Sequence, residues 1–266
     1  MDLKMIKIDL LNEFKGKIDF NPLEIIKSMK KIDIPVDYFQ FYKSVSSVYS
    51  SKIEGEDIDF DSYFKHKFLN VKFKPDYTKK ADDLYRAYEF IEENKLNLDH
   101  IKKAHSIITS NLLPKSRQGL IRTSPMFVIN HDDLIEYVAP PFHMVKPELD
   151  KLINDIEILI ETELEPCEIF YFASFIHLAF VKIHPFQDGN GRTARLLEKW
   201  FLIEKMGKDA ISIQLEKNYY NNLKDYYSNL KKLGLEYEAL DYSQSLDFLL
   251  MTIMSVKNYP VSSGDK

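Results

Sequence analysis

Cysteine is nearly missing from this 266-residue chain. Cys167 stands alone, so no internal disulfide can form and a disulfide-stapled secreted domain is excluded. Glycine (8) and proline (11) are also few, which disfavours an all-β fold with its many tight turns. Positive charge is not in excess: 36 Lys+Arg face 41 Asp+Glu, a net −5, and direct nucleic-acid binding through bulk basicity is not expected. The most apolar run, residues 169–181, contains Ser174 and His177. It falls short of the roughly 20 residues that cross a bilayer and reads as a buried core helix. The first residues, MDLKMIKIDLLNEF, carry charge where a secretory signal would be apolar. A cytoplasmic, reducing setting without membrane association is expected.

Apolar residues make up 45% of the chain and aromatics 13%, ample for a buried core. Phe41, Val45, Val48, Tyr49 and Ile53 recur at three- and four-residue steps. That spacing predicts a helix over 37–53, stopped at Gly55 in a left-handed cap. Similar patterning predicts helices over 82–93 and 99–113, the latter ended by Pro114. Others are predicted over 147–164, 166–182, 191–207, 219–233 and 243–256. Between 122 and 138 short β-prone pieces flank Asn130-His131-Asp132-Asp133, ahead of Pro140-Pro141, the texture of a hairpin. The expected architecture is all-α with one inserted β-hairpin.

Between two apolar helices lies His184-Pro185-Phe186-Gln187-Asp188-Gly189-Asn190-Gly191-Arg192-Thr193-Ala194-Arg195. Gly189, Asn190 and Gly191 permit positive φ and turn several N–H groups into one concavity. A helix starts directly after them, its free N–H groups and positive end aimed at the same place, a site that attracts phosphate. Arg192 and Arg195 can grip further phosphate oxygens. Asp188 offers a hard carboxylate for Mg²⁺ bridging two phosphates, and His184 can take a proton near neutrality. Base, metal carboxylate, amide cradle and arginines together describe transfer of a phosphorus group from a Mg-nucleotide to a hydroxyl. No Walker lysine is present, so this is not a P-loop.

The string resembles the Fic family pattern His-x-Phe-x-(Asp/Glu)-Gly-Asn-Gly-Arg-x-x-Arg at all eight fixed positions. FIHLAFVKI before it, Gly119-x-x-Arg122-Thr123, Pro140-Pro141 and LEKNYYNNLKDYYSNL are similar to the same family. The resemblance divides the chain into an N-terminal helical region (1–78), a Fic domain (79–235) and a C-terminal helix with tail (236–266). It implies a protein adenylyltransferase that moves AMP from ATP to a Ser, Thr or Tyr hydroxyl of a target protein or of itself. His184 would then be the general base and Asp188 the Mg²⁺ ligand. Gly189, Asn190 and Gly191, with Thr193 and Ala194 continuing the helix start, would bind the nucleotide, and Arg192 and Arg195 its outer phosphates. Phe186 would be an inward anchor. Met126, Phe127, Val128 and Ile129 resemble a flap that pairs with an extended target segment, with Val128 also touching the nucleotide. Tyr226 and Tyr227 match a pair lining the adenine site. Homodimers are common among such proteins.

Ser50, Glu54 and Gly55 fit the family's inhibitory pattern (Ser/Thr)-x-x-x-Glu-(Gly/Asn), placed as in the subgroup whose inhibitory helix is N-terminal. Glu54 falls in the last helical turn, where the dipole disfavours a carboxylate, and Ser50 on the same face is placed to steady it. The resemblance names Arg195 as the compensating partner and implies a chain held off at rest. Two other functions remain open at this point. One is removal of AMP by hydrolysis with Glu54 positioning water, and the other a nucleotide- or protein-binding module without turnover.

Overall fold

The computed structural model of the chain describes residues 1–29, 36–129 and 133–257. Two short helices, α1 (Leu11–Gly16) and α2 (Pro22–Met29), precede α3 (Tyr38–Ile53). The Asp37 carboxylate accepts the Gln40 N–H and starts α3, and Gly55 ends it at φ +84°, the left-handed cap expected from the sequence. Next come α4 (Phe60–Leu69), α5 (Pro75–Glu93) and α6 (Leu98–Ile108), and then a hairpin of β1 (Phe127–Ile129) and β2 (Ile135–Val138). Six helices follow: α7 (Phe142–Glu161), α8 (Pro166–Ile183), α9 (Asn190–Met206), α10 (Leu215–Asn221), α11 (Leu223–Lys232) and α12 (Leu246–Lys257). The fold is all-α with one antiparallel hairpin.

The central helix is α8, packed against α7, α9 and α12. Every residue from Ile169 to Phe180 is buried, which is why its sequence is apolar on all faces. It is long and apolar enough to cross a membrane, but its apolar surface is covered by the rest of the fold. One hydrophobic core runs from Met5 to Val256 and so crosses all three regions of the chain. At the N-terminus, the N–H groups of Lys4, Met5 and Ile6 converge on the buried Asp155 carboxylate.

Several helix ends differ from the periodicity. The helix expected over 99–113 stops at Ile108. The Thr109 hydroxyl folds back on the His105 carbonyl, while the Asp83 carboxylate pulls Asn111 into a turn. The helix placed at 147 begins at Phe142, so Pro147 lies inside the helix and removes one N–H near its start. The helix expected over 219–233 is two helices broken at Asn222 (φ −117°, ψ 40°), whose side-chain amide bonds Asn218. α1, α2 and α4 fall in the N-terminal region (1–78) expected to be helical, where periodicity had placed only the helix over 37–53.

The hairpin pairs Phe127 with Val138, Val128 with Tyr137 and Ile129 with Ile135; the register shift leaves Glu136 as an extra residue. Most of its expected turn (130–132) and the polar tail (261–266) lie outside the described residues. β2 is flanked on its other side by Leu235, whose carbonyl accepts the Val138 N–H. Among the described residues, nothing pairs with the outer edge of β1.

Candidate active site

The candidate site sits where α8 ends and α9 begins. His184 caps α8 in the left-handed conformation (φ 51°, ψ 59°), its N–H bonded to the Phe180 carbonyl. Its Nδ1 lies 3.2 Å from the Val181 carbonyl. A carbonyl only accepts, so Nδ1 carries the hydrogen and the Nε2 lone pair is left free. Burial pushes this imidazole down to about 4, helped by Arg122 and opposed by Glu54 and Asp188. It is neutral at pH 7.

Three contacts hold the loop after His184. Phe186, fully buried as an anchor, stacks on His105 at 3.7 Å between ring centroids. His105 Nδ1 accepts the Gly119 N–H (2.9 Å), which fixes its hydrogen on Nε2, and Nε2 donates to the Asp188 carbonyl (2.8 Å). Burial holds this second histidine near 4 as well. Arg122 is buried, and its guanidinium donates to the carbonyls of His184, Ser124 and Pro140. One side chain thereby ties the loop to both roots of the hairpin.

Gly189 turns the chain into α9 at φ +78°, and no side chain caps the helix start. A Cβ there would lie 2.8 Å from Thr109 Cγ2, so both conformation and space demand glycine. Gly191 has no positive φ, contrary to the sequence expectation. Its lack of a side chain makes room: a Cβ would lie 2.5 Å from Glu54 Oε1. The Asn190 side chain is spent on the Phe186 N–H and carbonyl (2.9 Å each), and the Thr193 hydroxyl on the Gly189 carbonyl. Ala194 is fully buried. What these residues leave for a ligand is backbone N–H at a helix start.

Glu54 reaches that helix start. Its Oε1 lies 2.6 Å from Arg195 Nη2, with the Arg195 side chain 1% and the Glu54 side chain 24% exposed. Burial alone would raise the Glu54 carboxyl; Arg195 and then Arg192 outweigh it and hold the group below the usual carboxylate range. Burial works against the Arg195 charge, and Glu54 raises the guanidinium above its ordinary value. Ser50 does not steady the glutamate, as the sequence suggested. Its hydroxyl and carbonyl accept from Arg195 Nε and Nη2 at 3.0 and 3.2 Å, because the guanidinium inserts between Ser50 and Glu54. Tyr227 donates to the Ile53 carbonyl at 3.0 Å and so also holds the end of α3. Arg192 turns to Glu56 (3.2 Å), which also binds Lys80 (2.6 Å).

These groups line a cavity of about 220 Å³ bounded by Glu54, His184, Gly191, Arg195, Tyr226 and Tyr227, with Val128 entering from the hairpin. Phe127 and Ile129 face out, about half exposed. Met126 supplies its carbonyl to the Ala139 N–H. Asp188 is exposed; its Oδ1 accepts the Gly189 N–H at 2.6 Å and Oδ2 remains available. Among the described residues no group of three His, Cys, Asp or Glu side chains forms a metal cage. A single hard carboxylate suits Mg²⁺ that shares its other ligands with phosphates and water, so the residues present fit a cation brought in with a nucleotide.

His105, Glu56 and Tyr137 were not singled out from the sequence. His105 did leave a signal: it stands in the apolar stripe of Ile101, Ala104 and Ile108, where a histidine needs partners.

Comparison with known proteins agrees with this geometry. The model of the Fic/DOC family matches residues 95–202. Protein adenylyltransferase Fic of Nematostella vectensis is 28% identical over 138 residues, 52% of this chain and 31% of that protein. Protein adenylyltransferase fic-1 of Caenorhabditis elegans is 26% identical over 177 residues, 65% of this chain and 32% of that protein. The chain thus spans about a third of the length of these curated relatives. A Fic family protein from Desulfovibrio desulfuricans superposes with a TM-score of 0.74 at 18% identity, covering 97% of this chain and 76% of that one. A Fic domain containing signaling protein from Bacteroides thetaiotaomicron gives 0.61 at 16% identity, over 96% and 98% of the two chains. Motif, loop geometry, fold and relatives agree: residues 95–202 carry a domain that matches the Fic/DOC family.

Proposed function

We propose that this chain is a protein adenylyltransferase that moves AMP from ATP to a hydroxyl side chain of a target protein or of itself, and that its resting state is restrained by Glu54. The observation that carries the reading is the Glu54 carboxylate lying against Gly191 at the start of α9 while paired to Arg195 at 2.6 Å. An anion already occupies the place where free N–H groups and a buried guanidinium would receive phosphate. The cavity, about 220 Å³, is also smaller than the roughly 300–1,000 Å³ of ordinary ligand pockets. Withdrawal of Glu54 would enlarge it and free Arg195 together.

In the reaction, His184 Nε2 takes the proton of the incoming hydroxyl. That oxygen forms a bond to the α-phosphorus, and the bond from this phosphorus to the pyrophosphate oxygen breaks. The neutral tautomer fixed by Val181 suits this role. The low basicity of the resting imidazole rises when a polyphosphate stands beside it, because nearby negative charge favours the protonated form. Backbone N–H groups at Asn190 and Gly191 and the guanidinium of Arg195 hold the outer phosphates. Arg192 joins them once it leaves Glu56. Asp188 would hold Mg²⁺, which supplies charge neutralisation across the phosphates. Tyr226 and Tyr227 form the wall for the adenine. The outer edge of β1, unpaired among the described residues, offers main-chain groups for an extended target segment running past Val128.

ATP labelled at either the α- or the γ-phosphate tests the assignment in the Glu54→Gly chain. Transfer of AMP predicts α-label on protein and no γ-label. Phosphate transfer would give the γ-label, and absence of both would overturn the proposal.

A further inference from the structure

The cleft is lined by four side chains able to carry positive charge: Lys182, His184, Arg195 and Lys231. Three are accounted for. Arg195 is held by Glu54 and Lys231 by Glu136, each at 2.6 Å, and His184 is neutral. Lys182 is left over. It is 4% exposed, and its Nζ rests 4.3 Å above the centre of the Tyr137 ring. Among the described residues no carboxylate stands within ion-pair distance of it, and burial alone pushes its amine down to about 8.

A buried ammonium without a counter-charge is costly, and the face of a tyrosine offsets only part of that cost. The residue could have stayed apolar like its neighbours on α8. Its presence in the wall of an otherwise charge-balanced cleft points to an anion that arrives with the substrate. The chain order indicates which part of the substrate. Lys182 and His184 both come from the last turn and cap of α8, whereas Gly191 and Arg195 come from the start of α9. Tyr137 bonds the Lys182 carbonyl and pairs with Val128, so Nζ lies under the hairpin from whose side the target hydroxyl would enter. The outer phosphates belong to α9; the phosphorus under attack belongs to the histidine side.

We propose that Lys182 is a catalytic residue whose ammonium contacts a non-bridging oxygen of the transferred α-phosphoryl group. In a cleft walled by Tyr137, Val128 and Leu230, that contact is little screened by water. The catalytic half of this inference rests on the AMP-transfer reading; the binding half requires only that an adenine nucleotide occupies the cleft.

The test uses the full chain carrying Glu54→Gly, alone and with Lys182→Met, Lys182→Gln or Lys182→Arg. Titration calorimetry with AMP and with adenosine isolates the α-phosphate. Lys182→Met and Lys182→Gln should weaken AMP about tenfold and leave adenosine unchanged, while Lys182→Arg keeps the preference. Equal effects on AMP and adenosine, or none, would overturn the inference. The second readout is the rate ratio for the two diastereomers of ATP carrying sulfur on the α-phosphorus. The neutral variants should shrink that ratio about tenfold and the arginine variant should not; an unchanged ratio would remove the catalytic role. If the Glu54→Gly chain transfers nothing from ATP, the proposed function fails, and the contrast between AMP and adenosine still decides for or against Lys182. A merely structural lysine would lower the melting temperature when replaced. The unpaired buried charge predicts that Lys182→Met holds or raises it.

Discussion

Replacing Glu54 by glycine removes the contact proposed to restrain the cleft, and the size of the effect can be worked from the structure. Glu54 makes a charge-assisted bond of 2.6 Å to a guanidinium that is 1% exposed, while its own side chain is 24% exposed. Such bonds contribute about 1.5–3 kcal/mol. On the proposed function a γ-phosphate would have to displace this carboxylate to reach Arg195, so removing it should strengthen ATP binding and raise AMP transfer by roughly ten- to a hundredfold. Stability should move the other way. Arg195 loses its counter-charge but keeps Ser50 Oγ, the Ser50 carbonyl and the Tyr226 hydroxyl. The loss should therefore stay below the roughly 3–5 kcal/mol typical of a broken buried pair. Calorimetric titration with ATP, transfer of α-label and a thermal melt with and without ATP read all three quantities. The expected pattern is tighter binding, faster transfer and a lower Tm that ATP restores. Unchanged binding and transfer would refute the reasoning, because Glu54 would then not be competing for the anion site. If the glycine variant instead lost the ability to release AMP from a modified protein, the chemistry would run in the hydrolytic direction.

Other perturbations follow from the same geometry. His184 and His105 both sit near 4 in the fold and near 6.5 when unfolded. Between those values the unfolded chain binds protons that the fold refuses, so stability falls as pH drops from about 6.5 towards 4 and is flat with respect to these groups above that window. For the fully buried His105, 1.36 kcal/mol per pH unit amounts to about 3 kcal/mol; Tm should drop between pH 7 and pH 5, and drop less in His105→Gln. Gly189→Ala should cost roughly 1–2 kcal/mol for the left-handed backbone alone, more with its contact on Thr109, read as a fall in Tm. Ser50→Ala removes one acceptor from Arg195 and should loosen the restraint, raising AMP transfer severalfold without loss of ATP affinity; a fall in transfer would contradict the arrangement.

The parts of the site visible in the sequence were those set by local spacing. A glycine after a helix, a glutamate one residue before it and a serine one turn back give the end of α3 directly. A histidine, two glycines and two arginines around a helix start likewise give the proposed anion site. What spacing does not carry is which side chain meets which across the fold. The sequence put Ser50 on the carboxylate, yet it holds the arginine, because the guanidinium reaches between them. It put Arg192 on phosphate, yet Glu56, from a turn beyond α3, reaches it first. It read Gly191 as a backbone hinge, yet what counts there is the empty volume filled by Glu54. His105 shows the same limit. Its periodicity marked it as buried, but its two ring partners lie on Gly119 and Asp188, and the second is 83 residues away.

The central proposal is that His184 acts as the base over a phosphate site that Glu54 blocks. The most direct measurement compares the Glu54→Gly chain with the Glu54→Gly, His184→Ala chain, reading ATP affinity and protein-bound α-label in the same samples. Equal ATP affinity with label lost in the double variant is the predicted result. Label retained at the rate of the single variant would contradict it.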